Sequence, residues 1–374
     1  MPRSPAPFRR TAGRVAGILT VALLALGLAA CDDTTTQDGS TTALEDRLAS
    51  IPDVEDARVR LQTGGDGYVS LQLGLTPGAR AGQVTPVVQA TKAAVEASEH
   101  VDTELIVYID WVDGERSYEM GMMGQVRLLG ALGNEVPAMA ELMQHDFGST
   151  RVWVDEYGED GAQYGRDIDV TVTPGTPDRA LVRIFHALHA QLPDQQQSTR
   201  FDISYHDYSA DGPRDGRRVG IDARAPAPVV AAVDRIMRSP EPRGWDGATD
   251  LSVSTGGYGA DPADWYVSVH ARLTPADLAD APEDELADRA GDDVVTAAAE
   301  HLAEALVMDG PEAMLDVTLA SAEGHADVGG FYSASCAEAW EDESGRSRQL
   351  WEAWVGAGGQ PTQDGATATE CPDA

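Results

Sequence analysis

The residues whose types and spacing come closest to a chemical site are histidines. His186 and His189 stand three apart in His186-Ala187-Leu188-His189, with His206 and Asp207 further along the chain. Histidines at that spacing on a helix can reach one zinc ion from nearby faces. The apolar stripe Leu181, Ile184, Phe185, Leu188 and Leu192 turns His186 toward solvent and leaves His189 at its edge. Neither has a second ligand at helical spacing, so His186, His189 and His206 are weak metal candidates and read better as solvated side chains. The acidic runs Asp32-Asp33, Glu283-Asp284-Glu285 and Asp292-Asp293 lack the alternating ligands and turn glycine of a calcium loop. They read as helix-start charges and solvated faces.

Other reactive templates are missing. The sequence contains no His-Glu-x-x-His, no Gly-x-Ser-x-Gly and no EF-hand ladder, and no glycine-rich run precedes Lys92 as a phosphate loop would require. Gly256-Gly257-Tyr258-Gly259 falls in a strand connection with no helix start behind it, and reads as a loop. The sequence therefore gives no catalytic residue, no cofactor and no metal site to expect, and leans away from an enzyme.

The N-terminus is more specific. Arg3, Arg9, Arg10 and Arg14 occur without an acid, and an apolar run follows from Val15 to Ala29, too short for a comfortable membrane span. The run ends Leu28-Ala29-Ala30-Cys31, which resembles the lipobox of bacterial lipoproteins. That resemblance implies diacylation of Cys31, removal of residues 1–30, and a protein held on the extracytoplasmic side of the cell membrane. Arg9-Arg10 raises the twin-arginine route, but the residues after it fit general secretion better. Residues 31–43 are polar and read as a disordered tether.

With Cys31 assigned to the lipid, Cys336 and Cys371 remain as an even pair in an oxidising compartment. A disulfide between them would staple the tail and contribute roughly 4 kcal/mol in the chain-entropy model.

The formal net charge is -35, and loss of residues 1–30 removes four arginines and no acid, taking it to -39. So acidic a body repels nucleic acid and anionic headgroups, which argues against either as a direct partner. Lys92 is the only lysine against 26 arginines, a bias resembling that of GC-rich, actinobacterium-like genomes.

The elements that position these residues follow from a repeat. An alternating strand ending in Thr-Pro occurs three times, at Thr76-Pro77, Thr173-Pro174 and Thr274-Pro275. The spacings of 97 and 101 residues suit domains rather than a solenoid. Helices are expected at Leu44 to Ser50, Pro86 to Glu99, Val126 to Gln144, Pro177 to Gln191, Pro228 to Arg238 and Asp292 to Val307, with Thr85-Pro86 and Thr176-Pro177 as helix starts. Strands are expected around them in the order β-α-β-β-α-β. That order resembles tandem ferredoxin-like modules, α+β units with antiparallel sheets and helices on one face. The expected modules are 44–113, 114–210 and 216–328, followed by a stapled tail at 329–374.

Strand parity leaves a second set of residues off the helix-covered faces: Ile106 and Tyr108, Trp153 and Tyr157, Tyr266 and His270. Packing between modules is the expected use for them, since large apolar patches are rarely left open. Trp340, Trp351 and Trp354 are expected to cap the third module. The functional expectation is a lipid-anchored envelope protein acting as a non-enzymatic interaction or assembly module, its partner an envelope protein or small ligand. A glycan or small-ligand binder, and a metal-dependent envelope hydrolase, are the alternatives.

Overall fold

A computed structural model of the chain describes residues 39–62, 67–157, 163–172, 179–192, 198–206, 216–239, 245–333 and 345–361. These form one twelve-stranded mixed sheet in which the strands lie side by side in chain order. The elements are α1 (Gly39–Ala49), β1 (Val54–Gln62), β2 (Tyr68–Leu75), α2 (Ala81–Glu96), β3 (Glu104–Asp113), β4 (Arg116–Gly124), α3 (Leu128–Asn134), α4 (Val136–Leu142), β5 (Phe147–Tyr157) and β6 (Gln163–Val172). There follow α5 (Arg179–Gln191), β7 (Thr199–His206), β8 (Gly216–Asp222), α6 (Ala227–Met237), β9 (Gly247–Gly257), β10 (Trp265–Pro275), α7 (Glu283–Arg289), α8 (Asp293–Ala305), β11 (Glu312–Ala320), β12 (His325–Tyr332) and α9 (Arg346–Gly356).

The pairing alternates strictly. Each hairpin (β1–β2, β3–β4, β5–β6, β7–β8, β9–β10, β11–β12) is antiparallel. Each pair bridged by a helical crossover (β2–β3, β4–β5, β6–β7, β8–β9, β10–β11) is parallel. The repeating unit is thus a helical segment, two short helices in the third unit and α7 with α8 in the sixth, followed by one hairpin, recurring about every 50 residues.

Alternation along the strands produces the core. In β3, Leu105, Val107, Ile109 and Trp111 are buried while Glu104, Ile106, Tyr108 and Asp110 face the other way. Register carries that parity across strands: Ala57, Leu73, Ile109, Met120, Val152, Ile168, Phe201 and Ile221 are successive partners, all buried. The helices cover this face; α5 contributes Leu181, Phe185 and Leu188, and all belong to one hydrophobic cluster. Each fully buried Leu, Ile or Phe in it contributes about 1.5–3 kcal/mol.

These findings overturn the expectation of tandem ferredoxin-like modules with antiparallel sheets. That fold interleaves its two halves so that strands distant in sequence pair; here every strand pairs with its sequence neighbours. Both topologies share one element order and one alternation, and local pattern does not carry the choice of partner. The Thr-Pro strands are β2, β6 and β10, four places apart, so the apparent period of about 100 residues spans two helix-hairpin units.

Some boundaries also move. α1 begins at Gly39 and buries Thr41, so helix replaces the last part of the expected tether. α2 begins at Ala81, with Pro86 inside it rather than at its start. The helix expected from Val126 to Gln144 divides at Glu135, because Pro137 in the first turn of α4 brings no N–H to continue the ladder. β12 crosses the expected boundary at 328 and buries Phe331.

A terminal helix caps one N–H on each sheet edge. On β1 the Glu45 carboxylate of α1 accepts the Val59 N–H at 2.9 Å, and on β12 the Ser347 hydroxyl of α9 accepts the Gly330 N–H at 3.1 Å. Exposed edge N–H groups would template further strands, and the terminal helices occupy these two. Trp354 of α9 seals the end by packing on Phe331 with ring centroids 5.3 Å apart. Its indole N–H donates to the Leu306 carbonyl at 3.3 Å.

Candidate functional site: the uncovered sheet face

The opposite parity forms a second continuous row. Asp56, Gly74, Asp110, Glu119, Arg151, Asp169, Asp202, Gly220, Ser254, Ser268, Met314 and Tyr332 are successive cross-strand partners from β1 to β12. At a strand spacing of 4.8 Å the sheet is about 50 Å wide. Among the described residues, Val112, Met123 and Tyr266 stand on this face at 40, 42 and 38% exposure.

Packing between modules was the expected use of this face; with one sheet in place of modules, the residues of 44–113 and 114–210 lie on the same surface. Its aromatic residues instead meet sideways within the sheet. Trp153 packs beside Tyr108 with centroids 5.3 Å apart, and the Arg151 guanidinium sits 4.8 Å over the indole. The indole N–H donates to Asp155. Trp153 lies across Gly121, its cross-strand partner, where a Cβ would overlap the indole. Arg200 over Gly220 and Tyr266 over Gly256 repeat this device. Trp153 is left only 7% exposed.

Charge dominates the centre. Arg151 bridges Glu119 at 3.5 Å and Asp169 at 3.4 Å, and Arg218 grips Asp202 with two bonds of 2.6 Å. Burial pushes the Asp110, Glu119 and Asp169 carboxyls above their ordinary range. Asp167 is pushed up to about 6, first by burial and then by Asp169 and Asp155, with Arg200 and Arg151 opposing. Burial also raises Tyr108.

At the other end of the face, Ser268 Oγ lies 3.2 Å from His270 Nε2, and His270 Nδ1 lies 3.2 Å from Asp316 Oδ2. This is the order of nucleophile, base and orienting acid. However, β10 is paired along both edges from Tyr266 to Leu273, so the N–H groups around Ser268 are committed to ladders and cannot receive an oxyanion. Ser268 is itself 5% exposed. The contact is best read as a cross-strand polar link. Alternation makes Ser268 and His270 legible as same-face neighbours, whereas Asp316 enters only through the β10–β11 register.

Of the weak metal candidates, two are described with their side chains. His186 is exposed on α5, while His189 Nε2 donates to the Ala223 carbonyl at 3.1 Å. Their rings flank Phe185 at 5.3 and 5.5 Å. His206 ends β7, and its side chain lies outside the described set, as do Asp207, Cys31, Cys336, Cys371 and Trp340. Among the described residues no group of three or more His, Cys, Asp or Glu is placed to hold a metal ion. Glu283-Asp284-Glu285 opens α7, and Asp292 precedes α8 with Arg289 against it. Strand parity pointed to Tyr108, Trp153 and Tyr266; the acid row around Arg151 went unnoticed because its members lie on separate strands.

Comparison with family models, with curated proteins and with solved structures returns no match.

Proposed function

We propose that the chain is a lipid-anchored protein on the extracytoplasmic side of the cell membrane, and that its uncovered sheet face is an interaction or assembly surface for another envelope component. The anchor rests on Leu28-Ala29-Ala30-Cys31 at the end of an apolar run. Among the described residues no helix is long and apolar enough to cross a membrane. The observation that carries the interaction reading is the contrast between edges and face. Each edge strand has an N–H capped by a side chain of a terminal helix, α1 or α9, while the face bears exposed Val112, Met123 and Tyr266 and a set of ion pairs. A rigid surface loses little conformational freedom on binding.

A glycan platform has less support, because Trp153 is covered by its neighbours rather than offered for stacking. A metal-dependent hydrolase has less still, because His189 spends its Nε2 on the Ala223 carbonyl.

A photo-crosslinking residue at Met123, on the open face, and another at Val294, 53% exposed on α8, test the interaction in intact cells. A discrete adduct at position 123 and none at 294 is expected; adducts at neither, or equally at both, would overturn the reading. Cys31→Ser is expected to abolish lipidation and leave the chain either released or unprocessed. A membrane-bound, normally processed variant would overturn the anchor.

A further inference from the structure

We infer that the open face between β3 and β8 docks a basic surface of another extracytoplasmic protein, one that presents arginine or lysine side chains beside apolar ones. This rests on the interaction reading above and names the partner's chemistry.

The uncovered region carries a charge imbalance. Across these strands Asp110, Glu119, Asp155, Asp167, Asp169 and Asp202 share the face with Arg151, Arg200 and Arg218. Arg151 and Arg218 are committed to Glu119, Asp169 and Asp202, and Arg200 lies over Gly220. Among the described residues no ion pair forms on Asp110, Asp155 or Asp167. A negative potential concentrated on low-dielectric walls draws cations and steers their approach.

The region is not merely a solvated acid patch. Met123 and Val112 stand exposed in it, with Ile106 half-buried beside Met123. Apolar side chains among fixed charges supply the area that a specific interface needs, and the β3–β8 span of about 25 Å accommodates one of standard size.

Charge also eliminates the other occupants. A second copy would set acid against acid, and nucleic acid and anionic lipid carry the same sign as the face. A cationic protein surface is what remains. Its arrival would favour ionisation of the carboxyls that burial and crowding hold above their ordinary range, Asp167 foremost. Binding is then accompanied by proton release near pH 6.

The test uses the full chain with a nine-residue arginine peptide as probe, followed by calorimetry in two buffers of different ionisation enthalpy. The triple variant Asp110→Asn, Asp155→Asn, Asp167→Asn removes the unpaired open-face charges. Glu283→Gln, Asp284→Asn, Glu285→Gln removes as many from the exposed start of α7. The expected result is binding weakened about tenfold by the first set and less than about twofold by the second, with proton release lost in the first alone. Equal weakening by both sets would reduce the effect to bulk charge and overturn the inference. So would failure of the peptide to bind, a preference for anionic over neutral vesicles that the first set abolishes, or self-association abolished by the first set. If the crosslink at Met123 captures a partner whose bound surface is neutral or acidic, the interaction reading stands and this inference falls.

Discussion

Trp153 lies flat across Gly121 on the neighbouring strand, and a Cβ at residue 121 would meet both the indole and, at 2.8 Å, the carbonyl oxygen of Val107. Moving the ring alone would not relieve that contact. Gly121→Ala is therefore expected to lower stability by about 1–3 kcal/mol and displace the indole from Tyr108 and Arg151. Denaturant melts and tryptophan emission would report the two effects. An unchanged midpoint with unchanged emission would contradict the placement of Trp153.

Beneath the helices, Arg166 and Glu135 form an ion pair at 2.6 Å with side chains 4 and 7% exposed. Two of the three guanidinium nitrogens, Nε and Nη2, have no hydrogen-bond partner among the described residues. Breaking the pair by Glu135→Gln or Arg166→Met is expected to cost about 3–5 kcal/mol, since one charge is then buried alone. The double variant Glu135→Leu, Arg166→Met is expected to recover most of that loss. A thermodynamic cycle from urea unfolding checks this, and additive losses would count against a buried pair.

The pH dependence follows from Asp167, whose carboxyl rises from an ordinary 3.8 to about 6. Between those values the folded chain holds a proton that the unfolded chain has released. Stability therefore falls as pH rises through this window, and the loss is complete above it. Solvent screening limits the effect to about 1 kcal/mol. Asp167→Asn is expected to raise the melting midpoint at pH 7.5 and leave it nearly unchanged at pH 4. A variant that is destabilised at pH 7.5 would show that Asp167 is held by a favourable partner instead.

Much of this was legible in the chain. Alternation in residues 104–111 and 265–273 gave strands with the right buried side, and the α5 stripe of Leu181, Phe185 and Leu188 gave the helix face. Pairing was not legible, because β-α-β-β-α-β reads identically whether the strands interleave or add one after another. The site suffered from the same gap. Arg151, Glu119 and Asp169 are polar residues on three strands, and only the β4–β5–β6 register brings them together. Trp153 and Tyr108 had the correct parity, but their contact runs along the sheet surface, which strand parity cannot distinguish from contact between sheets.

The central claim is that this face is open in the isolated protein and covered in the envelope, and three methionines of β4 test it directly. Met120 and Met122 are fully buried against the helices, whereas Met123 is 42% exposed on the opposite side. Brief peroxide treatment followed by peptide mass spectrometry reads each one as its sulfoxide. In purified protein, Met123 is expected to oxidise while Met120 and Met122 stay protected; in intact cells, Met123 is expected to become protected too. Equal oxidation of Met123 in both settings would contradict a covered recognition face, and oxidation of Met120 or Met122 in the purified protein would contradict the sheet itself.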